Sequence, residues 1–254
     1  MVDFDLTEEQ NMLIELAEQF ADEELIPKAE EWDREGIFPE KTIRKARELG
    51  LLNCTIPQEY GGMGLSFLDE VMINEELGRG DPGFATITGV TMLACHPIIY
   101  AGTEEQKIHY LGRVCDGEIS AYCVTEPGAG SDVKAIKTTA VLEGDYYVVN
   151  GSKMWIGGAR QADWFYVLAK TSSEDSYDSL SGFIIEAKSE GLEVGKKEEK
   201  MGQRSSDTRG VRFHNVKVPK ETLVGEIEGN GWIQAMVAFD LSRPMRAAHA
   251  LGTA

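Results

Sequence analysis

The chain has 254 residues, of which 42% are hydrophobic and 27% charged, a composition typical of a globular protein that can bury a sizeable core. It carries 43 Asp and Glu against 25 Lys and Arg, so its formal net charge is −18 at pH 7. So large an excess of negative charge repels nucleic acids and anionic membrane surfaces, and it argues against both as partners.

Residues 1–117 are predicted to form an N-terminal helical domain. Thr7-Glu8-Glu9-Gln10 has the pattern of a capping box. The apolar residues after it recur at helical spacing until Pro27, which is expected to end the helix. Three further helices are predicted, over residues 40–49, from Ser66 onwards, and from a second capping box at residues 103–106 towards Val114.

Residues 118–228 are predicted to form a β domain, because the hydrophobic period changes from Ile119 onwards. The strands over residues 138–143 and 146–150 are expected to pair as a hairpin around Gly144-Asp145. Apart from the strand that begins near Ile119, the predicted strands are residues 138–143, 146–150, 164–169, 182–186, 192–196 and 211–218.

A last helix is predicted to begin at Trp232 and to run to the end of the sequence. It is apolar on more than one face, as expected of a helix packed on several sides, and we expect the chain to offer it no partners. We therefore interpret residues 229–254 as the start of a C-terminal helical domain that has been cleaved off, is missing, or is supplied by another chain. The predicted fold class is α+β, with a barrel- or sandwich-like middle domain.

A proline- and glycine-rich turn follows an apolar strand in AYCVTEPGAGSDVKAIKT, residues 121–138. Its glycine spacing resembles part of a dinucleotide-binding fingerprint, but the third glycine is absent and no helical pattern follows. From the turn alone, two interpretations stay open: an ordinary strand-ending turn, or a loop shaped around a ligand. In the second, Gly128 and Gly130 allow close backbone approach, Pro127 stiffens the turn, and backbone N–H groups and the Thr125 hydroxyl supply donors.

Four stretches together resemble the acyl-CoA dehydrogenase family, in particular its short- and medium-chain members. They are YCVTEPGAGSDV at 122–133, NGSKMWI at 150–156, MGQRSSDTRGVRF at 201–213 and FDLSRP at 239–244. The resemblance covers nearly the whole chain in the family's domain order. It implies N-terminal helices, a central β domain and a C-terminal four-helix bundle, of which this sequence holds the first helix.

The resemblance also implies an activity. It implies that FAD and an acyl-CoA thioester react by removal of the α-proton by a carboxylate, while the β-hydride passes to flavin N5. Electrons would then pass to an electron-transferring flavoprotein, and four identical subunits would form a tetramer. Two alternatives stay open: a non-catalytic flavin- or acyl-CoA-binding subunit completed by a partner chain, and an acyl-CoA oxidase that reduces oxygen.

The resemblance places nine residues at the flavin: Tyr122, Cys123, Val124, Thr125, Gly130, Ser131, Trp155, Ile156 and Gly157. Ser131 is also implied to face the CoA portion of the substrate. For Trp155 the competing interpretation is a core tryptophan in a strand. Position 157 departs from the family, which usually has Thr or Ser there with its hydroxyl on flavin N5; Gly157 leaves only a backbone N–H.

Besides Ser131, the residues implied to bind acyl-CoA are Asp240, Leu241, Ser242 and Arg243. From spacing alone, Asp240 and Arg243 could instead form an intrahelical ion pair of little value to stability. Some family members carry their catalytic glutamate at the place of Ser242, and a serine hydroxyl cannot take up the α-proton in that role. We therefore expect the catalytic base in the C-terminal bundle, outside these 254 residues. The stretch around Gly89 aligns with the floor of the family's acyl pocket.

No secretion signal, membrane span or metal site is expected. The start MVDFDLTEEQ lacks the basic and apolar regions of a signal peptide, and no uninterrupted apolar run is long enough to span a bilayer. The four cysteines, at positions 54, 95, 115 and 123, lack metal-type spacing and are expected to be free thiols. The predicted location is the cytoplasm, or the mitochondrial matrix if a transit peptide has been removed.

Overall fold

The structure is a computed structural model that describes residues 5–174 and 176–254. Residues 1–4 and position 175 lie outside the described residues. Residues 1–4 belong to the predicted N-terminal domain and to the start of the chain that lacks a signal-peptide pattern. The predicted domain boundaries after residues 117 and 228 stay predictions.

The helices of the described residues lie at the two ends of the chain. They are α1 (Glu8–Phe20), α2 (Ile26–Glu35), α3 (Glu40–Glu48), α4 (Phe67–Gly80), α5 (Pro82–Ala101), α6 (Glu104–Gln106), α7 (Gly112–Cys115) and α8 (Gly231–Thr253). Both capping boxes form as predicted, at Thr7 and at Thr103. Ser66 caps α4 in the same way, with Asp69 as its partner.

The first helix continues through Pro27, contrary to the prediction that it ends there. A π-helical turn over Ala21–Leu25 joins α1 to α2, and Pro27 takes the second position of α2. Proline is tolerated in a first helical turn because the N–H groups there have no partner within the helix. Because the π-helical turn ends at Leu25, a new α-helix begins at Ile26 and Pro27 falls in its first turn.

The sequence patterns did not delimit α5, which is the core helix of the N-terminal half. Its cap is Asp81, whose carboxylate accepts hydrogen bonds from the backbone N–H groups of Gly83 and Phe84 at 2.9 and 3.1 Å. By length and composition α5 could cross a membrane, but 72% of that span is buried inside the protein. A helix enclosed on all sides is apolar on all sides, so it shows no amphipathic period.

The middle of the chain forms a mixed sheet. Its strands are β1 (Ser120–Cys123), β2 (Thr139–Glu143), β3 (Tyr146–Gly157), β4 (Trp164–Lys170), β5 (Leu180–Glu186), β6 (Leu192–Lys197) and β7 (Thr208–Pro219). The order is β1-β4-β2-β3-β7-β6, with β5 paired to β4. The predicted hairpin is present as β2 and β3, with Glu143 opposite Tyr146. The α+β fold class is confirmed.

The last helix, α8, packs against α4 and α5, so the expectation that it lacks partners within the chain is wrong. Two glycines allow the backbones of α4 and α8 to touch. A Cβ on Gly78 would lie 2.6 Å from the Cα of His249, and one on Gly252 would lie 1.9 Å from the carbonyl oxygen of Glu75. A groove lies between α5 and α8, and Gln203 from the segment between β6 and β7 also lines it.

Candidate functional site

The four sequence motifs come together at one end of the sheet. The backbone N–H of Met154 donates to the carbonyl oxygen of Thr125 at 2.9 Å, which joins the turn after β1 to β3. Gly157 at the end of β3 pairs with Thr208 at the start of β7. Phe239 of α8 contacts the ring of Tyr122 edge-on, with centroids 5.8 Å apart. Stretches far apart in sequence therefore form one site.

The glycine-rich turn of the site is exposed, and its glycines face open space. Gly128 and Gly130 have ordinary backbone angles, and a Cβ built on either one would meet no atom within 4 Å. Neither packing nor backbone conformation within the described chain therefore requires glycine at these positions. A ligand that approaches the turn closely supplies such a requirement.

A buried ion pair anchors the turn to β3. Lys153 is 1% exposed, and its Nζ donates to Glu126 Oε1 at 2.9 Å and to the Val124 carbonyl at 3.1 Å. Glu126 also accepts from the Thr138 hydroxyl at 2.6 Å and from the backbone N–H of Lys137 at 2.6 Å. The carboxylate of Glu126 is thereby engaged in holding the turn in place, which is a structural role.

The charge and hydrogen-bond interactions of this pair outweigh the effect of burial on the pKa of Glu126 but not on the pKa of Lys153. Burial alone would raise the pKa of Glu126, but the Lys153 charge and the hydrogen bonds it accepts lower the pKa below its ordinary value. Burial also lowers the pKa of Lys153, against the opposing effect of Glu126. Glu126 therefore stays ionised at neutral pH.

Trp155 is the most unusual residue of the site. It lies in a β-bulge, where the register of β3 against β7 shifts between Lys153 and Ile156. Its φ angle is +58°, in the left-handed region, and 58% of the residue is exposed. A tryptophan with strained backbone and most of its surface in solvent buries little apolar area against its own chain, so packing does not explain its conformation. The interpretation of Trp155 as a core residue is therefore wrong, whereas its neighbour Ile156 is 2% exposed.

Gly157 has little free space around it for a side chain. A Cβ there would lie 3.0 Å from Cγ2 of Val90 on α5. The Thr or Ser expected from the family would therefore require Val90 to shift by a few tenths of an ångström. Val90 and Gly157 thus form a contact between α5 and the end of β3.

The remaining flavin-side residues of the sequence prediction differ in their exposure. Cys123 and Val124 lie in the core, and the Tyr122 ring stacks on Tyr166 with centroids 5.2 Å apart. Thr125 is half-buried, and Ser131 is exposed. Within this set, the side chains of residues 122–124 are therefore enclosed by the protein, whereas Thr125, Gly130, Ser131 and Trp155 offer accessible atoms.

Apart from Ser131, the predicted acyl-CoA residues lie on α8. Asp240 and Arg243 are exposed and form the intrahelical pair that their spacing allows, which contributes little to stability. The Ser242 hydroxyl donates to the Phe239 carbonyl at 3.0 Å, so it is engaged within the helix. Neither Glu126, which is bonded to Lys153, nor Asp240, which is paired with Arg243, offers a free carboxylate that could act as a base at the turn.

Sequence reasoning missed three contributors to this region: Lys153, Val90 and Arg246. Lys153 stands inside the NGSKMWI motif, where its charge could have been paired with Glu126. Arg246 follows Ser242 by four residues, one helical turn, so helix periodicity could have placed it on the same face. Among residues 5–174 and 176–254, no group of three or more His, Cys, Asp or Glu side chains could hold a metal ion.

Two domain models of one family match the chain. The acyl-CoA dehydrogenase N-terminal domain matches residues 7–118, and the acyl-CoA dehydrogenase middle domain matches residues 121–216. A probable medium-chain specific acyl-CoA dehydrogenase 2, mitochondrial, from Caenorhabditis briggsae is 44% identical over 98% of this chain and 62% of its own length. Acryloyl-CoA reductase (NADH) from Anaerotignum propionicum is 41% identical over 100% of this chain and 65% of its own length. The chain thus spans less than two thirds of these curated relatives.

Solved structures share the fold over nearly the whole chain. Butyryl-CoA dehydrogenase from Megasphaera elsdenii has a TM-score of 0.94 and 36% identity, covering 99% of this chain and 67% of that one. A chain of a structure described as an electron transferring flavoprotein of Acidaminococcus fermentans has a TM-score of 0.95 and 42% identity, over 99% and 66%. An acyl-CoA dehydrogenase complexed with FAD from Bacillus anthracis has a TM-score of 0.92 and 36% identity, over 100% and 44%.

Proposed function

This chain belongs to the acyl-CoA dehydrogenase family, and we propose that it binds FAD and an acyl-CoA thioester for α,β-dehydrogenation of the acyl group. The proposal concerns the whole protein, of which these 254 residues supply the N-terminal helices, the middle domain and α8. It extends to this chain what the names of its relatives say of them.

One observation supports the proposal most strongly: Trp155 is held in left-handed backbone with 58% of its surface exposed, beside a turn whose glycines face open space. Strained and exposed aromatic residues are typical of functional sites, where a ligand repays the strain. A flat aromatic ring is the kind of ligand that would cover both the indole and the turn.

The residues present fit FAD. The Trp155 ring offers an apolar surface for the isoalloxazine, and the Thr125 hydroxyl and nearby backbone N–H groups offer donors for its pyrimidine edge. Gly130 leaves room for close approach, and the Ser131 hydroxyl can donate to a phosphate. FAD would supply the electron-pair acceptor of the reaction. The buried Glu126–Lys153 pair would fix the turn so that these donors are in place before the ligand arrives.

The acyl-CoA thioester is proposed to enter between α5 and α8. Ser131 at the turn and Asp240, Leu241, Ser242 and Arg243 on α8 would line its path, with the Arg243 guanidinium near the polar CoA chain. The α-proton requires a carboxylate base, and Ser242 and the engaged Glu126 cannot fill that role. We therefore propose that the base comes from a part of the protein beyond these residues.

The proposed electron acceptor is an electron-transferring flavoprotein, and the proposed assembly is a tetramer of identical subunits. The Acidaminococcus fermentans structure, whose description names an electron transferring flavoprotein, supports the first. The Caenorhabditis briggsae relative is described as mitochondrial, and the proposed location of this protein is the mitochondrial matrix or the cytoplasm.

The test is to add a panel of acyl-CoA thioesters to the purified, flavin-loaded protein without oxygen and to follow the visible absorbance of the flavin. The proposal predicts bleaching with at least one thioester and release of the matching enoyl-CoA. A protein that binds flavin yet shows no bleaching with any member of the panel would contradict it and support the non-catalytic alternative. Oxygen consumption that equals product formation without an added acceptor would favour the oxidase.

A further inference from the structure

The groove between α5 and α8 contains a cavity of about 540 Å³, lined by Thr86, Gln203, Arg246 and His249 among others. It adjoins the proposed site. A Cβ on Gly89 of α5 would lie 3.5 Å from Nη2 of Arg246, and the next residue, Val90, contacts the Gly157 end of β3. The cavity therefore begins where the predicted acyl-pocket floor around Gly89 lies.

Arg246 is half-buried, and its hydrogen-bond partners are neutral. Its Nη1 donates to the Thr86 hydroxyl at 3.0 Å and lies 3.3 Å from Nδ1 of His249. Within the part of the chain that the structure describes, no carboxylate forms an ion pair with it, and burial is the cause of its lowered pKa. Removing a charge from water without a counter-charge is unfavourable, so the site favours an anion.

The neutral partners hold the guanidinium in one orientation. The Thr86 hydroxyl donates to Gln203 Oε1 at 2.9 Å, so its lone pairs face Arg246. His249 Nε2 lies 2.8 Å from Asn74 Oδ1, an acceptor, since the amide nitrogen of Asn74 donates to the Glu70 carbonyl.

This arrangement fixes His249 as the neutral tautomer with its proton on Nε2 and with Nδ1 free to accept from Arg246. Burial and the Arg246 charge lower the pKa of His249 to about 4, which keeps it neutral. No hydrogen bond occupies Nε or Nη2 of Arg246 among the described residues. These donors are available to a ligand.

Position along α8 relates Arg246 to the proposed thioester path. Ser242, Arg246 and His249 are spaced i, i+4 and i+7, so they share one face of the helix. At 1.5 Å per residue, Arg246 lies about 6 Å along the axis from Ser242. A chain of a few methylene groups spans such a distance.

We propose that the acyl group bound by this protein ends in a carboxylate, which Arg246 holds at the far end of the acyl pocket with the Thr86 hydroxyl beside it. This inference rests on the proposed function, because it names the substrate class of the same site. A planar guanidinium suits a carboxylate, which accepts two parallel N–H groups.

The experiment compares two inert ligands of equal length by calorimetry on the flavin-loaded protein. They are CoA thioethers with a methylene in place of the thioester carbonyl; one ends in a carboxylate and the other in a methyl group, on the same five-carbon chain. Wild type, Arg246→Met, Arg246→Lys and the surface control Arg44→Met are titrated with both. Arg44 lies on α3, where its partner is Glu40.

The inference predicts that wild type and Arg44→Met bind the carboxylate ligand at least tenfold more tightly than the methyl ligand. Arg246→Met should lower affinity for the carboxylate ligand by about 10- to 100-fold, as expected for hydrogen bonds to charged groups, and leave the methyl ligand unchanged or bound more tightly. Arg246→Lys should fall between them. Retained affinity for the methyl ligand shows that the variant is folded.

Wild type that prefers the methyl ligand would overturn the inference while leaving the proposed function intact. Equal losses for both ligands in Arg246→Met would also overturn it, since Arg246 would then serve the CoA portion or pair with a carboxylate elsewhere in the protein. If wild type binds neither ligand, the proposed function fails together with the inference.

Discussion

The β domain and the helical layer formed by α4, α5 and α8 differ in the partners of their buried ionisable side chains. In the β domain, Lys153 lies 2.9 Å from Glu126, and four further groups surround the pair. In the helical layer, Arg246 has only neutral partners among the described residues. Glu70 of α4 is 3% exposed, and its carboxylate accepts from the Thr55 hydroxyl at 3.0 Å.

This difference separates scaffold from binding surface. The paired charges of the β domain fix the turn at the proposed flavin site without help from a ligand. In the helical layer, the Arg246 guanidinium has no counter-charge among the described residues, which lowers the stability of the free protein and is typical of a site that binds an anion.

Breaking the pair in the β domain should have the largest effect. Glu126→Gln leaves the Lys153 ammonium buried without a counter-charge, which we expect to lower the free energy of unfolding by about 3–5 kcal/mol. Urea denaturation measures it. The control is Asp145→Asn, which removes the partner of Lys220 in an exposed pair and should cost less than about 1 kcal/mol. Equal losses in the two variants would show that the buried pair does not anchor the turn.

The unpaired carboxyl of the helical layer should make stability depend on pH. Burial raises the pKa of Glu70 to about 7 from its ordinary 4.5. The folded state therefore holds a proton that the unfolded state has released, so stability falls as pH rises through this window, by an amount on the order of 3 kcal/mol. In Glu70→Gln, the free energy of unfolding should fall less between about pH 4.5 and pH 7 than it does in wild type. Denaturant unfolding at a series of pH values measures this. A decline that persists unchanged in the variant would assign it to other groups.

A substitution at Trp155 shows whether this strained residue serves flavin binding or the stability of the fold. Trp155→Gly should stabilise the flavin-free protein by about 1 kcal/mol, because glycine adopts positive φ without strain, and should weaken flavin binding. Asn215 also has a positive φ, of +50°, and lies outside the proposed site. Asn215→Gly should therefore leave flavin binding unchanged, and it should change stability little because asparagine tolerates positive φ better than tryptophan does. If Trp155→Gly destabilised the protein and kept its flavin affinity, the indole would belong to the fold.

The smallest effect on stability is expected at Gly157, where the helical layer meets the β domain. Gly157→Thr in a Val90→Ala background has room for its hydroxyl, since Val90 Cγ2 is the atom within 3.0 Å. Stability should change by less than about 1 kcal/mol, while the flavin reduction potential or the rate of flavin reduction changes because a donor is added. The Val90→Ala single variant is the control. Unchanged potential and rate would remove any tuning role for position 157.

Local signals predicted much of the fold. Capping boxes at Thr7 and Thr103 and the hairpin around Gly144 follow from side chains close in sequence, and each is present. Pro27 misled because a π-helical turn upstream moved it into a first-turn position. α5 could not be delimited because its burial on every side removes the periodicity by which helices are found.

The candidate site was predicted as a set of motifs but not as an arrangement. The sequence indicated that the turn and Trp155 belong together, yet the exposure and left-handed backbone of Trp155 depend on a bulge against β7. The neutral surroundings of Arg246 depend on Thr86 and His249, from two helices far apart in sequence. Such properties arise from tertiary contacts, which residue spacing alone does not encode.

Whether the turn and Trp155 hold the flavin can be decided by a structure of the protein determined with FAD. We expect the isoalloxazine ring between the turn at residues 125–131 and the Trp155 indole, with its pyrimidine edge on the donors of the turn. A ring bound elsewhere, with the Trp155 indole packed against the turn in its place, would show that these residues do not form the flavin site.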